Sequence, residues 1–184
     1  MLKKNRINQI EPYIDKFDKS ELTKYINSGG WMTEHSQNKV FEEQFKKLTK
    51  SKYSISFPNV TLTLLGILLS INVKKNDEII VPTYTMVATP NAVLLSGAKV
   101  VFCDISKDNL CMCPESLEKK INKRTKAIIY VTLNGRSGHI DKVKHICEKN
   151  KIPLIEDSAH SIGSFFKKIH HGNFGIAGSF SFSM

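Results

Sequence analysis

No apolar segment long enough to cross a bilayer occurs in these 184 residues. The longest run, VTLTLLGILLSINV at 60–73, is broken by Thr, Gly and Ser and falls short of the roughly 20 residues a spanning helix needs. The opening MLKKNRINQIEPY is positive but lacks the apolar stretch of a secretory leader, so the expected location is cytoplasmic. Cysteine is sparse. Cys103, Cys111, Cys113 and Cys147 cannot form a disulfide framework in a chain of this size. Cys111 and Cys113 stand two apart, with His170 and His171 far downstream, which is not the paired spacing of a zinc site. Arginine is scarcer still: Arg6, Arg124 and Arg136 are the only ones among 27 basic residues. The net charge of +10 at pH 7 is therefore carried by scattered lysines, many in doublets such as Lys74-Lys75 and Lys119-Lys120. Nucleic-acid binding favours the forked guanidinium, so this pattern reads as a solvated surface that can still draw in a small phosphorylated substrate. No internal repeat is present, and no GxGxxG follows the first expected strand, which argues against a nicotinamide-binding fold.

What is present is an ordinary globular composition, 41% hydrophobic and 24% charged, enough for one domain with a core. Apolar residues recur at helical spacing over 9–27 and 37–49, the latter with Glu42–Lys46 and Glu43–Lys47 as i,i+4 pairs. A buried helix is expected over 60–73, and others over 86–96, 114–121 and 139–150. NSGGWMTE at 27–34 reads as a turn. Between the helices lie short apolar runs: YSISF (53–57), EIIVP (78–82), KVVFCDI (99–105), KAIIYV (126–131), IPLIE (152–156) and GSFSF (178–182), with a hairpin-like stretch before the last. These runs are continuous rather than alternating, as in strands covered on both faces. The fold class is α/β, an α/β/α sandwich with a mostly parallel sheet.

One stretch carries more than fold. In IPLIEDSAHSIG (152–163) a buried strand runs into two acids, with a histidine three positions later. Parallel sheets bind ligands just beyond the carboxyl ends of their strands, so Asp157 stands where a ligand would lie. Successive side chains alternate across a strand, which sends Glu156 to the other face in a structural role.

Taken in order, SFPNVTLTLL (56–65), DEIIVPTYTMVATPNAVLLSGAKVVFCDI (77–105), TKAIIYVTLNG (125–135), IPLIEDSAHSIG (152–163) and GNFGIAGSFSFS (172–183) closely resemble the DegT/StrS family of sugar aminotransferases. These are pyridoxal 5'-phosphate (PLP) enzymes of the aspartate-aminotransferase fold, PLP fold type I. The resemblance runs from about Tyr25 to the last residue. It implies that residues 1–184 form a single domain, the N-terminal part of the PLP-binding large domain, with 1–35 as a helical segment packing on it.

The resemblance also assigns site residues. Asp157 would face the pyridine nitrogen of PLP. A carboxylate about 4 Å from a cation contributes about 4 kcal/mol at an effective dielectric near 20, or roughly three pKa units, which keeps the ring protonated. His160 would meet the 3'-oxygen. Thr61 and the Leu62 amide would hold the phosphate at a helix N-terminus, although Val60 stands where the family has glycine. Ser181 would add a phosphate contact. Met86 would lie on the ring face where the family usually has an aromatic side chain, with Tyr84 a neighbour. No catalytic residue is assigned, because the Schiff-base lysine is expected about two residues beyond Met184, or a histidine there in the sugar-dehydratase branch. The implied activity is amino transfer from an amino acid, glutamate being expected, to a keto-deoxy sugar linked to a nucleoside diphosphate, for amino-sugar or polysaccharide synthesis. The implied assembly is a homodimer. The alternative expectation is a non-catalytic fragment or degenerate member. No metal, nucleic-acid or membrane partner is expected.

Overall fold

The computed structural model describes residues 13–29 and 36–182. The chain divides into two compact units, residues 1–41 with 182–184, and residues 42–181. In the first unit, α1 spans Lys16–Asn27. Asp15 caps it by accepting the amides of Phe17 and Asp18, and Asp18 accepts the Asp15 amide at 2.9 Å. This reciprocal box sets the start at Lys16, inside the longer span that apolar spacing suggests. Residues 9–12 of that span and 30–34 of the expected turn lie outside the described residues.

The unit boundary falls within α2 (Ser36–Thr49). The second unit continues with α3 (Val60–Ser70), β1 (Glu78–Pro82), α4 (Ala88–Leu95), β2 (Lys99–Cys103), α5 (Pro114–Lys120) and β3 (Thr125–Val131). It ends with α6 (Ile140–Asn150), β4 (Leu154–Asp157), a hairpin of β5 (Phe165–Phe166) and β6 (Ile169–His170), and β7 (Ala177–Ser179). Five strands make one parallel sheet in the order β2-β1-β3-β4-β7. Every residue of β1 and β4 is buried, which is why these runs are apolar between Glu78 at the start of β1 and Glu156 near the end of β4. One core sets Leu64 and Leu68 of α3 and Ala92 and Val93 of α4 against Ile79, Val81, Ile129 and Ile155. The other sets Leu117 of α5 and Ile140, Val143 and Cys147 of α6 against Ile80, Ile128, Tyr130 and Leu154. Strand order turns back around β1, with β2 on one side and β3 on the other. The connections diverge there, and parallel sheets bind their ligands at the carboxyl edge beside such a point. Among the described residues no helix is long and apolar enough to cross a membrane.

The structure departs from expectation in four places. YSISF is not a strand: no ladder reaches it, and the Ser56 amide is donated to Glu42 at 2.6 Å. A strand is a pairing, and a favourable sequence alone does not supply the neighbour. Among the described residues, the ion pair within α2 is Glu43 with Lys46 at i,i+3, 2.6 Å apart, rather than either expected i,i+4 pair. α3 buries one face only, with Leu64 and Leu68 inward and Leu62 and Leu69 exposed. GSFSF is strand only through Ser179.

The β5–β6 turn is strained. Lys167 (φ 47°) and Lys168 (φ 66°) both lie in the left-handed region, the pattern of a two-residue I′ turn that prefers Asn-Gly. Lys167 has a use there, since its Nζ is 2.9 Å from Asp141 Oδ2, whereas Lys168 is exposed. Lys168→Gly is therefore expected to stabilise the chain by about 1 kcal/mol. A urea midpoint that stays put or falls counts against this.

All four cysteines are free thiols. Burial pushes Cys103 up to about 11 and Cys147 up to about 12, and raises Cys111 as well. Cys113 alone is only half-buried. A brief maleimide pulse on the folded chain is expected to give one adduct, at Cys113; rapid modification of two or more thiols would contradict that picture.

Candidate functional site

β4 ends in Asp157, and side-chain alternation determines what that acid meets. Ile155 faces the α3–α4 core and Leu154 the α5–α6 core, so Asp157 and Glu156 point to opposite faces. Asp157 is 4% exposed, on the side covered by α3 and α4. Its Oδ2 accepts the Thr89 hydroxyl at 2.7 Å, and its Oδ1 accepts the Ala159 amide at 3.3 Å. Thr85 lies 2.8 Å behind Thr89, so a short relay of hydroxyls backs the acid. No cationic side chain forms an ion pair with Asp157 among the described residues. Burial pushes its carboxyl above the ordinary carboxylate range, opposed by the Thr89 and Ala159 hydrogen bonds and the nearby His160.

His160 is exposed at the same edge. Its Nδ1 accepts the Asn134 amide at 3.3 Å, which leaves Nε2 to carry the proton of the neutral ring and donate outward. Asn134 (φ 51°) and Gly135 (φ 74°) form the tight turn after β3 that presents this amide. A side chain at Gly135 would come within 2.8 Å of Ser164 Oγ, so the left-handed turn is also closely packed.

α3 packs on β7 and β4. Asn59 caps it in an extended conformation, its side chain accepting the Leu62 amide at 3.0 Å. The Leu62 amide expected to meet phosphate is thus already used, and the first-turn donors without a partner among the described residues are the amides of Val60 and Thr61 and the Thr61 hydroxyl. Val60 is the first helical residue, with no positive φ, so a β-branched side chain in place of glycine distorts nothing. Asn59 directly before an apolar helix is a sequence-level cap, and that signal could have found it.

Ser179 pairs with Asp157 across the β4–β7 ladder, and the Ser158 amide donates to the Ser179 carbonyl at 2.8 Å. The hydroxyls of Ser158 and Ser179 are fully buried and have no hydrogen-bond partner among the described residues. Ser181 follows two residues later and is partly buried. Met86 sits at the start of α4, its carbonyl accepting the Thr89 amide at 3.1 Å; its side chain is 69% exposed, so it is not a core methionine. Tyr84 is exposed beside it.

Thr89, Asn134, Ser158 and Ser179 were not singled out by the sequence. Thr89 is 68 positions from Asp157, and no local pattern links the two. The donor set fits PLP: an anionic carboxylate in a buried, uncompensated position suits a protonated ring nitrogen, and a helix N-terminus with a spare hydroxyl suits a phosphate. Among the described residues no group of three His, Cys, Asp or Glu side chains could hold a metal.

Solved structures with this architecture are numerous. Helicobacter pylori PseC, an aminotransferase involved in the biosynthesis of pseudoaminic acid, is 32% identical with a TM-score of 0.86 over 94% of this chain and 47% of its own. The putative sugar aminotransferase Spr1654 of Streptococcus pneumoniae, solved in PLP and PMP forms, is 29% identical with a TM-score of 0.88 over 94% and 47%. A GDP-4-keto-6-deoxymannose-3-dehydratase, ColD, is 29% identical with a TM-score of 0.84 over 91% and 45%. The chain spans about half the length of these structures. The model of the DegT/DnrJ/EryC1/StrS aminotransferase family matches residues 12–184, and members of that family bind PLP. The chain belongs to the DegT/DnrJ/EryC1/StrS aminotransferase family.

Proposed function

We propose that this chain supplies the cofactor-holding edge of a PLP-dependent sugar aminotransferase, one that moves an amino group from glutamate to a keto-deoxy sugar linked to a nucleoside diphosphate. The observation that carries the reading is Asp157: a buried acid without a cation, at the carboxyl edge of a parallel sheet, in a family that binds PLP. When bound, the cofactor supplies an electron-withdrawing ring that stabilises a carbanion at the amino-acid carbon.

The chain's residues divide the work. Asp157 holds a proton on the ring nitrogen, and Thr89 keeps the carboxylate aimed. His160 donates from Nε2 to the 3'-oxygen. The Val60 and Thr61 amides and the Thr61 hydroxyl meet the phosphate, joined by Ser181. Met86 would give the bound cofactor a polarisable contact. A homodimer in the cytoplasm is the proposed form; the dimer is supported by apolar side chains left outward beside the start of α4, Met86 and Val87. Light scattering is expected to return twice the chain mass, and a monomer at every concentration would remove that part.

The test is a half-reaction. With the Schiff-base lysine expected beyond Met184 in place, the protein loaded with PLP and given glutamate is expected to lose the visible cofactor band and to form 2-oxoglutarate. Saturable PLP binding without 2-oxoglutarate would keep the cofactor site and remove the aminotransferase.

A further inference from the structure

Glu156 lies back to back with Asp157 and is 0% exposed. Its carboxylate accepts three backbone amides of one loop: Gly172 at 2.8 Å through Oε2, and Phe174 at 2.6 Å and Gly175 at 3.1 Å through Oε1. Two glycines make room for this grip. Gly178 is the β7 partner of Glu156, and a side chain there would sit 2.4 Å from Gly172 Cα. A side chain on Gly175 would sit 2.1 Å from the Leu154 carbonyl oxygen. The gripped loop leads at once into β7, which is only three residues long and has three register pairs to β4. Such a short strand has little ladder of its own to fix where its end points. That end leads to Ser181.

We propose that Glu156 is a positioning residue for the phosphate end of the cofactor site. It acts through the 172–175 loop to seat β7, so that Ser181 stands at a fixed offset from Asp157. One strand end thereby serves both ends of the same ligand: Asp157 reads the ring directly, and Glu156 places the phosphate contact from the opposite face of the sheet. The inference rests on the cofactor reading above. Glu156→Gln keeps the size but offers one acceptor oxygen to three amides and turns an NH2 group toward at least one of them, so the loop must give way.

The test compares PLP with pyridoxal, which lacks the phosphate, by equilibrium dialysis against the parent chain and Glu156→Gln. Hydrogen exchange is followed at Gly172, Phe174 and Gly175. The expected result is a loss of about tenfold in PLP affinity with pyridoxal affinity nearly unchanged, and faster exchange at the three amides. Equal losses for both ligands would mean general loosening and would overturn the proposal, as would a PLP affinity that does not move. If the parent chain binds neither ligand, the cofactor reading itself fails and this inference falls with it, a pattern distinct from the other two. Should Glu156→Gln fail to fold, Glu156→Asp carries the same comparison, with a smaller drop in the PLP-to-pyridoxal preference expected and an unchanged preference overturning the proposal.

Discussion

Asp157→Asn is expected to move two measurements in opposite directions. PLP affinity should fall by about a hundred- to a thousandfold, because a charge–charge contact near 4 Å is worth about 4 kcal/mol at an effective dielectric near 20. Thermal stability of the cofactor-free chain should rise. The amide can turn its NH2 toward Thr89, which then donates to Thr85, and its oxygen toward the Ala159 amide, so every hydrogen bond keeps a partner. What disappears is the burden of a buried charge. The sign follows from the raised carboxyl of Asp157. A group whose folded value lies above its unfolded value favours folding in its protonated form, and that advantage is lost as pH rises through the folded value. Below the ordinary carboxylate range the parent and Asp157→Asn should therefore unfold alike. Above the raised value the variant should be the more stable, and it should stay so toward neutrality. A variant that is less stable at neutral pH, or that binds PLP as tightly as the parent, would refute the assignment.

Gly175→Ala should cost about 4 kcal/mol or more, a large part of the 5–15 kcal/mol that holds a typical domain together. The clash is with backbone, which cannot rotate away: the new Cβ would sit 2.1 Å from the Leu154 oxygen and 2.7 Å from its carbon. That oxygen also accepts the Ile176 amide at 2.8 Å, the first rung joining this loop to β4. Relief of the clash therefore pulls Gly175 off Glu156 and β7 off the sheet edge together. Urea unfolding measures the loss directly, and a change under about 1 kcal/mol would show that the close approach is not real.

The parts of the fold that announce themselves in the sequence are those whose burial is local. EIIVP, KAIIYV and IPLIE carry continuous apolar runs between charged ends because helices cover both faces of β1, β3 and β4, and side-chain alternation placed Glu156 and Asp157 on opposite faces. In the candidate site, Asp157 drew attention by its own chemistry, and Thr61, His160 and Ser181 were named only as what the family resemblance implies. The site was not legible where the contact is made in space. Thr89 is an ordinary helix threonine until β4 is laid beside α4. The Leu62 amide looked free until the Asn59 cap was seen to take it. YSISF shows the same limit from the other direction: its strand character is plain, and its pairing is a property of other residues.

The Lys167–Lys168 turn offers a practical opening. It projects from a hairpin whose neighbour, the 172–175 loop, is anchored independently by Glu156. Extra residues spliced between the two lysines would be absorbed by a bend that is already uncomfortable in its present form. The turn is thus a natural port for a reporter tag or an affinity handle, well suited to following assembly without touching the edge where Asp157 waits.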